Sequence, residues 1–183
     1  MDIQHDRAGY YICWGCMVWV PSVYTMHTLF LVKNPQHLSV PITIIYLLAG
    51  VLSVWTNYDA DRQRQEFRAT GGKVKIWGHK PIFITAKYKT TDGAERTSTL
   101  LADGWWGISR HFHYIPEITA SIFWCAPGAF NPAVVAPWFY PFYLTLLLLD
   151  RGWRDDKRCG DKYGKYWDEY CTKVPYKILP GVV

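Results

Sequence analysis

Two lines of this chain concentrate the side chains able to bind or transform something. The first, "LLADGWWGISRHFHYIPEI", residues 100 to 118, sets Trp105 and Trp106 between Gly104 and Gly107 and follows them with Arg110, His111, His113 and Tyr114. Flat rings beside glycines let a planar ligand approach closely. An arginine can take a phosphate, and histidine and tyrosine can hydrogen-bond a sugar or move a proton. The same residues also describe an interfacial aromatic belt, where tryptophan and tyrosine gather without any ligand.

The second line is "RDDKRCGDKYGKYWDEYC", residues 154 to 171. On a helix, Asp155, Cys159, Lys162, Tyr163, Tyr166 and Tyr170 fall within an arc of about 100°. One face then carries a carboxylate, an ammonium and phenols, while Gly160 and Gly164 fall opposite, either as close-packing positions or as a break in the helix. A solvated amphipathic tail is the alternative. A third element is Arg64 and Arg68 in "NYDADRQRQEFRATGGK", four residues apart and so on one helix face. They can clamp a phosphate with paired donors or reach lipid headgroups by snorkelling. His111 and His113, two apart, make a weak metal spacing, and no metal is expected.

The elements that position these residues follow from where charge is missing. A helix crossing the ~30 Å hydrocarbon layer needs ~20 residues free of ionised side chains. Three stretches qualify: Ala8 to Val32, Asn34 to Tyr58, and Ile118 to Leu149. The last is too long for one span and is punctuated by Pro127, Pro132, Pro137 and Pro141. Ten Lys/Arg lie between Tyr58 and Glu117 and eight from Asp150 onward, against one in the 33–37 turn. The positive-inside bias therefore places both basic blocks on the cytoplasmic side. The fold class expected is all-α, a partial polytopic transmembrane bundle. Its spans are about 8–32 and 36–58, followed by a cytosolic loop 59–117, broken or re-entrant helices 118–149, and a cytosolic tail 150–183 that binds cofactor. Within the loop, residues 73–100 hold "TDG" between two β-branched runs and predict a short hairpin outside the membrane.

The net charge of +5 is ordinary for cytoplasmic flanks, and acids interleave with the bases too evenly for a nucleic-acid surface. Cys13 and Cys16 have CxxC spacing but lie in an apolar run without a second pair, so they read as packing residues. "ATGGKVK" lacks the frame of a phosphate loop. "MDIQHDR" is charged with both signs and is not a secretory leader.

With these residues laid out, the chain resembles the sterol reductase family of carbon-14 and carbon-24(28) reductases, and within it the plant-type branch that acts at carbon-7. The resemblance covers essentially the whole chain. It is carried by "HDRAGYYICWGCMVWVPSVYT", "NYDADRQRQEFRATGGK", "WGHKP", "LLADGWWGISRHFHYIPEI" and "LLLLDRGWRDDKRCGDKYGKYWDEYCTKVPYKILPG". It implies a multi-pass protein of the endoplasmic reticulum membrane that reduces the carbon-7 double bond of Δ5,7-sterols with NADPH. The sterol would enter from the bilayer, with membrane lipid and other enzymes of sterol biosynthesis as expected partners. The implied NADPH contacts are Arg64, Arg68, Leu101, Trp106, His113, Tyr114, Asp155, Cys159, Gly160, Asp161, Lys162, Tyr163 and Tyr170. Among them Arg64, Arg68 and Lys162 would neutralise phosphates, and Arg110 and His111 would organise the pocket. The proton donor is unassigned, with His111 and Tyr114 as candidates. Position 113 is His where many members have Asn, and position 64 is Arg where relatives can have Lys. The family's amino-terminal spans precede the point where this chain starts, so a carboxy-terminal part of one longer membrane domain is expected. The alternatives are a sterol carbon-14 reductase, an inactive truncated member, a membrane methyltransferase using S-adenosylmethionine, and a non-catalytic nuclear-membrane relative.

Overall fold

The computed structural model describes residues 13–90, 93–128 and 135–181. A π-helical segment Gly15–Tyr24 leads into α1 (Met26–Lys33). Pro21 lies inside the widened turn; proline removes one backbone donor, and a π-type register is one way a helix carries that loss. After a break comes α2 (Val40–Ala69), the longest helix described. Then follow β1 (Phe83–Lys89), β2 (Glu95–Leu101), α3 (Trp105–Ile108), α4 (Tyr114–Cys125), α5 (Phe139–Tyr163) and α6 (Lys165–Lys173).

The segment Gly15–Lys33 and helix α2 are long and apolar enough to cross a membrane. Around α2, Leu47, Leu48, Val51, Leu52, Val54 and Trp55 are all exposed. A surface helix of a soluble domain hides its apolar stripe; this one exposes a broad apolar face, while Tyr46, Ala49, Gly50 and Ser53 on its other side are buried or half-buried. The third uncharged stretch is broken, with short 3-10 turns at Ala126–Gly128 and Ala136–Trp138 holding Pro127 and Pro137. Pro132 lies outside the described residues. Pro141 sits in the first turn of α5, where a missing donor costs nothing.

The fold is mostly helical rather than all-α, because β1 and β2 pair as an antiparallel hairpin in register from Phe83↔Leu101 to Lys89↔Glu95. The expected turn falls between these strands, with Asp92 of "TDG" among the residues not described. Two helices also run further than charge alone suggests. Helix α2 does not stop at Tyr58 but continues through Arg64 and Arg68, since no glycine or proline separates Gly50 from Gly71. Gly71 and Gly72, with φ of +61° and +84°, then end it, and the Gly72 N–H caps the Phe67 carbonyl at 2.9 Å. Helix α5 likewise passes Asp150 and ends only at Gly164, φ +51°.

The chain divides into two compact units, Met1–Gly50 with Ser121–Leu144, and Val51–Ala120 with Thr145–Val183. In the first, aromatic pairs join the elements: Trp19 with Tyr143 at 4.9 Å, Tyr24 with Tyr140 at 4.5 Å, and His27 edge-on to Trp124 at 5.6 Å. In the second, the hairpin is covered on both faces. Alternation sends neighbouring strand residues to opposite sides. Phe83 and Leu101 join Phe67, Ile76 and Trp106 on one face, and Ile84 and Leu100 join Trp167, Tyr170 and Val174 on the other. The hairpin therefore holds α3 and α6 at a fixed spacing.

Candidate functional site

Every residue singled out as a possible ligand contact lies in the second unit. Its base is the charged end of α2. Two indole N–H groups clamp α3 onto it: Trp105 Nε1 donates to Asp59 Oδ2 at 2.8 Å, and Trp106 Nε1 donates to the Ala60 carbonyl at 2.8 Å. The Asp59 carboxylate also accepts from Arg62 at 2.7 Å and from Gln63 at 3.1 Å. Gln63 Oε1 in turn accepts the Trp105 backbone N–H at 3.3 Å. Gly104 makes this approach possible: it has φ +60°, and a Cβ there would stand 2.3 Å from Gln63 Oε1.

Arg64, one turn beyond Ala60, places its guanidinium carbon 4.3 Å from the centre of the Trp106 ring, a cation–π arrangement. From there a row of rings continues. Trp106 lies 4.9 Å from His113, His113 lies 4.4 Å from Tyr114, and Tyr114 stacks on His111 at 5.0 Å with planes 8° apart. Burial, with His111 and Arg64 adding positive charge, pushes His113 down to about 3. Burial lowers His111 as well, so both imidazoles are neutral near pH 7. Burial raises Tyr114, with Asp155 adding to it, so its hydroxyl keeps its proton. Despite their burial, Ser109 Oγ, His111 Nε2 and His113 Nδ1 have no hydrogen-bond partner. Buried polar atoms are ordinarily paired, so the two imidazole nitrogens of the row, with Ser109 next to Arg110 in sequence, suit a polar ligand.

The second line reaches the row from α5 and α6. Asp155 and Tyr170 lie in the electrostatic field of Arg64. Burial pushes Tyr170 up to about 12, with Arg64 and Arg110 opposing the shift. Cys159 is 3.8 Å from Asp155 Oδ2, and burial followed by the Asp155 charge pushes its thiol up to about 12. It is a packing residue rather than a nucleophile.

Not all of the candidates meet here. Lys162 holds its ammonium 4.2 Å over Tyr88 and 5.0 Å from Tyr163, whose rings meet edge to face at 5.5 Å. Arg68 and Asp161 are exposed, Leu101 is buried in the cluster beneath Trp106, and Gly160 adjoins Trp167. The single helical face running from Asp155 to Tyr170 does not form. Gly164 breaks the helix, and Tyr166 and Tyr170 stand on α6.

Arg110 differs from the expectation of a phosphate ligand. It is buried, its Nη1 donates to the carbonyls of Val174 and Pro175, and its Nε stands 3.3 Å from Asp156 Oδ1 without hydrogen-bond alignment. Together with Lys177 on Asp156 at 3.1 Å, it ties the 174–177 segment beneath the row. Asp59, Gln63, Ser109 and Tyr88 carry roles the sequence reading missed. For the first two a signal was there: a carboxylate and an amide four apart on one helix face, just before the arginines.

A helix long and apolar enough to cross a membrane thus runs directly into a half-buried cluster of guanidinium, indole, imidazole and phenol. The chain belongs to the ergosterol biosynthesis ERG4/ERG24 family, whose profile matches residues 1–183. It is 56% identical over 182 residues to the 7-dehydrocholesterol reductase of Arabidopsis thaliana, covering 100% of this chain and 42% of the relative. It is 40% identical to the 7-dehydrocholesterol reductase of Xenopus laevis, with 100% of this chain and 38% of the relative covered. It is 38% identical to the Delta(14)-sterol reductase of Methylotuvimicrobium alcaliphilum, with 99% and 40% covered. The chain thus spans about two fifths of the length of these curated relatives.

Proposed function

We propose that this chain is the cofactor-binding part of an NADPH-dependent reductase of the carbon-7 double bond of Δ5,7-sterols, a multi-pass protein of the endoplasmic reticulum membrane. The observation that carries this is the row Arg64–Trp106–His113–Tyr114–His111, with the unpaired buried nitrogens of its two histidines, at the end of an apolar helix. The 56% identity to a 7-dehydrocholesterol reductase supports the choice of bond.

The residues fit a dinucleotide. Arg64 offers a fixed cation beside a flat indole, Ser109, His111 and His113 offer unspent polar atoms, and Tyr170 and Asp155 lie in the field of Arg64. When bound, NADPH supplies the hydride that quenches the carbocation left by protonation of the alkene. The chain's own task is to keep water from that cation and to hold a proton at hand. Tyr114, whose hydroxyl stays protonated, and neutral His111 stacked on it are the two candidates to pass one. The sterol reaches the site laterally from the bilayer, whose lipid also contacts the exposed apolar faces of α2.

Titrating NADPH into the chain in nanodiscs should quench tryptophan fluorescence, with NADPH preferred over S-adenosylmethionine. Absence of quenching by NADPH would remove the cofactor assignment. The bond is decided by supplying Δ5,7-, Δ8,14- and Δ24(28)-sterols to cells expressing a full-length reductase that carries this sequence. Consumption of the Δ8,14-sterol alone would move the assignment to carbon-14.

A further inference from the structure

The turn Ile76–His79 takes no part in this chemistry and is built against the preference of its residues. Ile76 and His79 exchange both backbone hydrogen bonds, at 3.0 and 3.1 Å, and close a two-residue loop of Trp77 and Gly78. Both loop residues have positive φ, +48° and +88°, as such loops require, and asparagine or glycine normally supplies it. Trp77 is the sole non-glycine with positive φ among the described residues. A bulky side chain held there is strained, and strain of this kind persists where the surroundings enforce it and marks functional positions.

The strain does not serve burial, because the Trp77 indole is 57% exposed. It does serve placement. Ile76 is anchored in the cluster with Phe67, Leu101 and Trp106. On the other side of the turn, His79 Nε2 lies 3.1 Å from Asp103 Oδ2, which also accepts the Ile82 N–H at 3.0 Å. The tip therefore projects from a rigid mount, and the Trp77 ring meets Trp105 at right angles, with centroids 5.2 Å apart.

Its position along α2 follows from the next contact. Trp105 bonds Asp59, and Asp59 is the first charged side chain of α2 after the apolar run from Val40. Trp77 thus stands at the level where α2 passes from apolar to charged. Beside it are a second exposed apolar side chain, Ile82, and the exposed Lys75 and Lys80. A tryptophan with an apolar neighbour and flanking lysines suits the boundary between acyl chains and lipid phosphates.

We infer that the Trp77 turn is a membrane-interface anchor, with Trp77 and Ile82 seated at the headgroup–acyl boundary of the bilayer that α2 crosses and Lys75 and Lys80 toward lipid phosphates. This rests on reading α2 as a span. Because Ile76 and Trp106 share one buried cluster, seating the turn also sets the height of the Arg64–Trp106 site above the lipid.

The test uses the whole 183-residue chain, labelled with 5-fluorotryptophan, in nanodiscs of phosphatidylcholine and phosphatidylserine. The Trp77 resonance is assigned by its loss in Trp77→Phe, or in Trp77→Asn, which suits the left-handed turn, if the first variant does not fold. Trp55, exposed on the apolar part of α2, is assigned likewise as the reference for a lipid-facing ring. A nitroxide high on the lipid acyl chain should broaden both resonances several-fold more than a water-soluble gadolinium chelate does. If Trp55 answers to the lipid label and Trp77 to the chelate, the anchor is overturned while the span stands. If both answer to the chelate, the span fails and the anchor fails with it.

Discussion

The guanidinium of Arg64 lies 4.3 Å over the indole of Trp106, and the same indole bonds the carbonyl of Ala60, one turn before Arg64 on the same helix. Cation and ring are therefore presented as a fixed pair by one element. An arginine restrained in this way loses less side-chain freedom when it takes a phosphate. Charge-assisted hydrogen bonds are worth roughly 1.5–3 kcal/mol, so Arg64→Ala should raise the NADPH KM by about 10- to 100-fold. The sterol KM should change little. Arg68, exposed and one turn further on, should show a several-fold smaller effect when changed to Ala. Steady-state kinetics of a full-length reductase carrying this sequence, varying each substrate separately, measure both, and equal effects on the two KM values would show that these arginines only reach lipid headgroups.

Asp59 controls whether that pair exists. It accepts hydrogen bonds from Arg62, Gln63 and the Trp105 indole. Its replacement by Ala leaves the half-buried Trp105 indole N–H and the buried Gln63 amide without this partner. The expected loss is about 2–4 kcal/mol of stability, read as a lower thermal midpoint in detergent micelles. Asp59→Asn keeps an acceptor and should recover about half of it. Combining Asp59→Ala with Trp105→Phe should cost less than the sum of the two single changes, because both remove the same bond.

Much of this arrangement is legible in the residue order, and the remainder fails for identifiable reasons. The hairpin follows from "TDG" between β-branched runs, and the break in the third apolar stretch follows from its prolines, because both signals are local. The ends of α2 and α5 do not follow from charge. A block of Lys and Arg marks where a membrane ends, not where a helix ends, and residues 51–70 contain no breaker. Arg110 could not be read locally either. Its partners, the Val174 and Pro175 carbonyls and Asp156, lie more than forty residues away in sequence, so a buried structural arginine looks like a free one. The gathering of Arg64, His113, Asp155 and Tyr170 comes from the resemblance, since spacing alone also left a solvated tail open.

Two glycines with positive φ should differ in what an added Cβ costs. Gly71 and Gly104 have φ of +61° and +60°. A Cβ at Gly71 meets nothing within 4 Å, whereas at Gly104 it would stand 2.3 Å from Gln63 Oε1 and 2.7 Å from Ile76 Cγ2. Gly71→Ala should cost about 1 kcal/mol from conformation alone. Gly104 also has ψ −139°, outside the left-handed helical region, so Gly104→Ala combines greater backbone strain with overpacking at the clamp between α2 and α3 and should cost about 2–4 kcal/mol. It should also weaken NADPH binding, which Gly71→Ala should leave unchanged. Urea unfolding and fluorescence titration separate the two cases, and equal costs would contradict the packing described around Gln63.

His113 should make stability depend on pH in one direction. Burial and the neighbouring positive charge hold it near 3 in the folded chain, against 6.5 when unfolded. The stability tied to its neutral form is therefore complete above about pH 6.5. It is lost as pH falls below that value, because the unfolded chain takes up a proton that the folded chain refuses until about pH 3. The slope is about 1.4 kcal/mol per pH unit for such a histidine, and His111, lowered by the same burial, adds to it. His113→Asn, which cannot titrate, should flatten the fall of the thermal midpoint between about pH 6.5 and pH 5 by that amount, whatever it does to the midpoint at neutral pH. The difference in slope between the two proteins cancels carboxylate titrations common to both. Parallel curves would place His113 in water rather than against Trp106 and Tyr114.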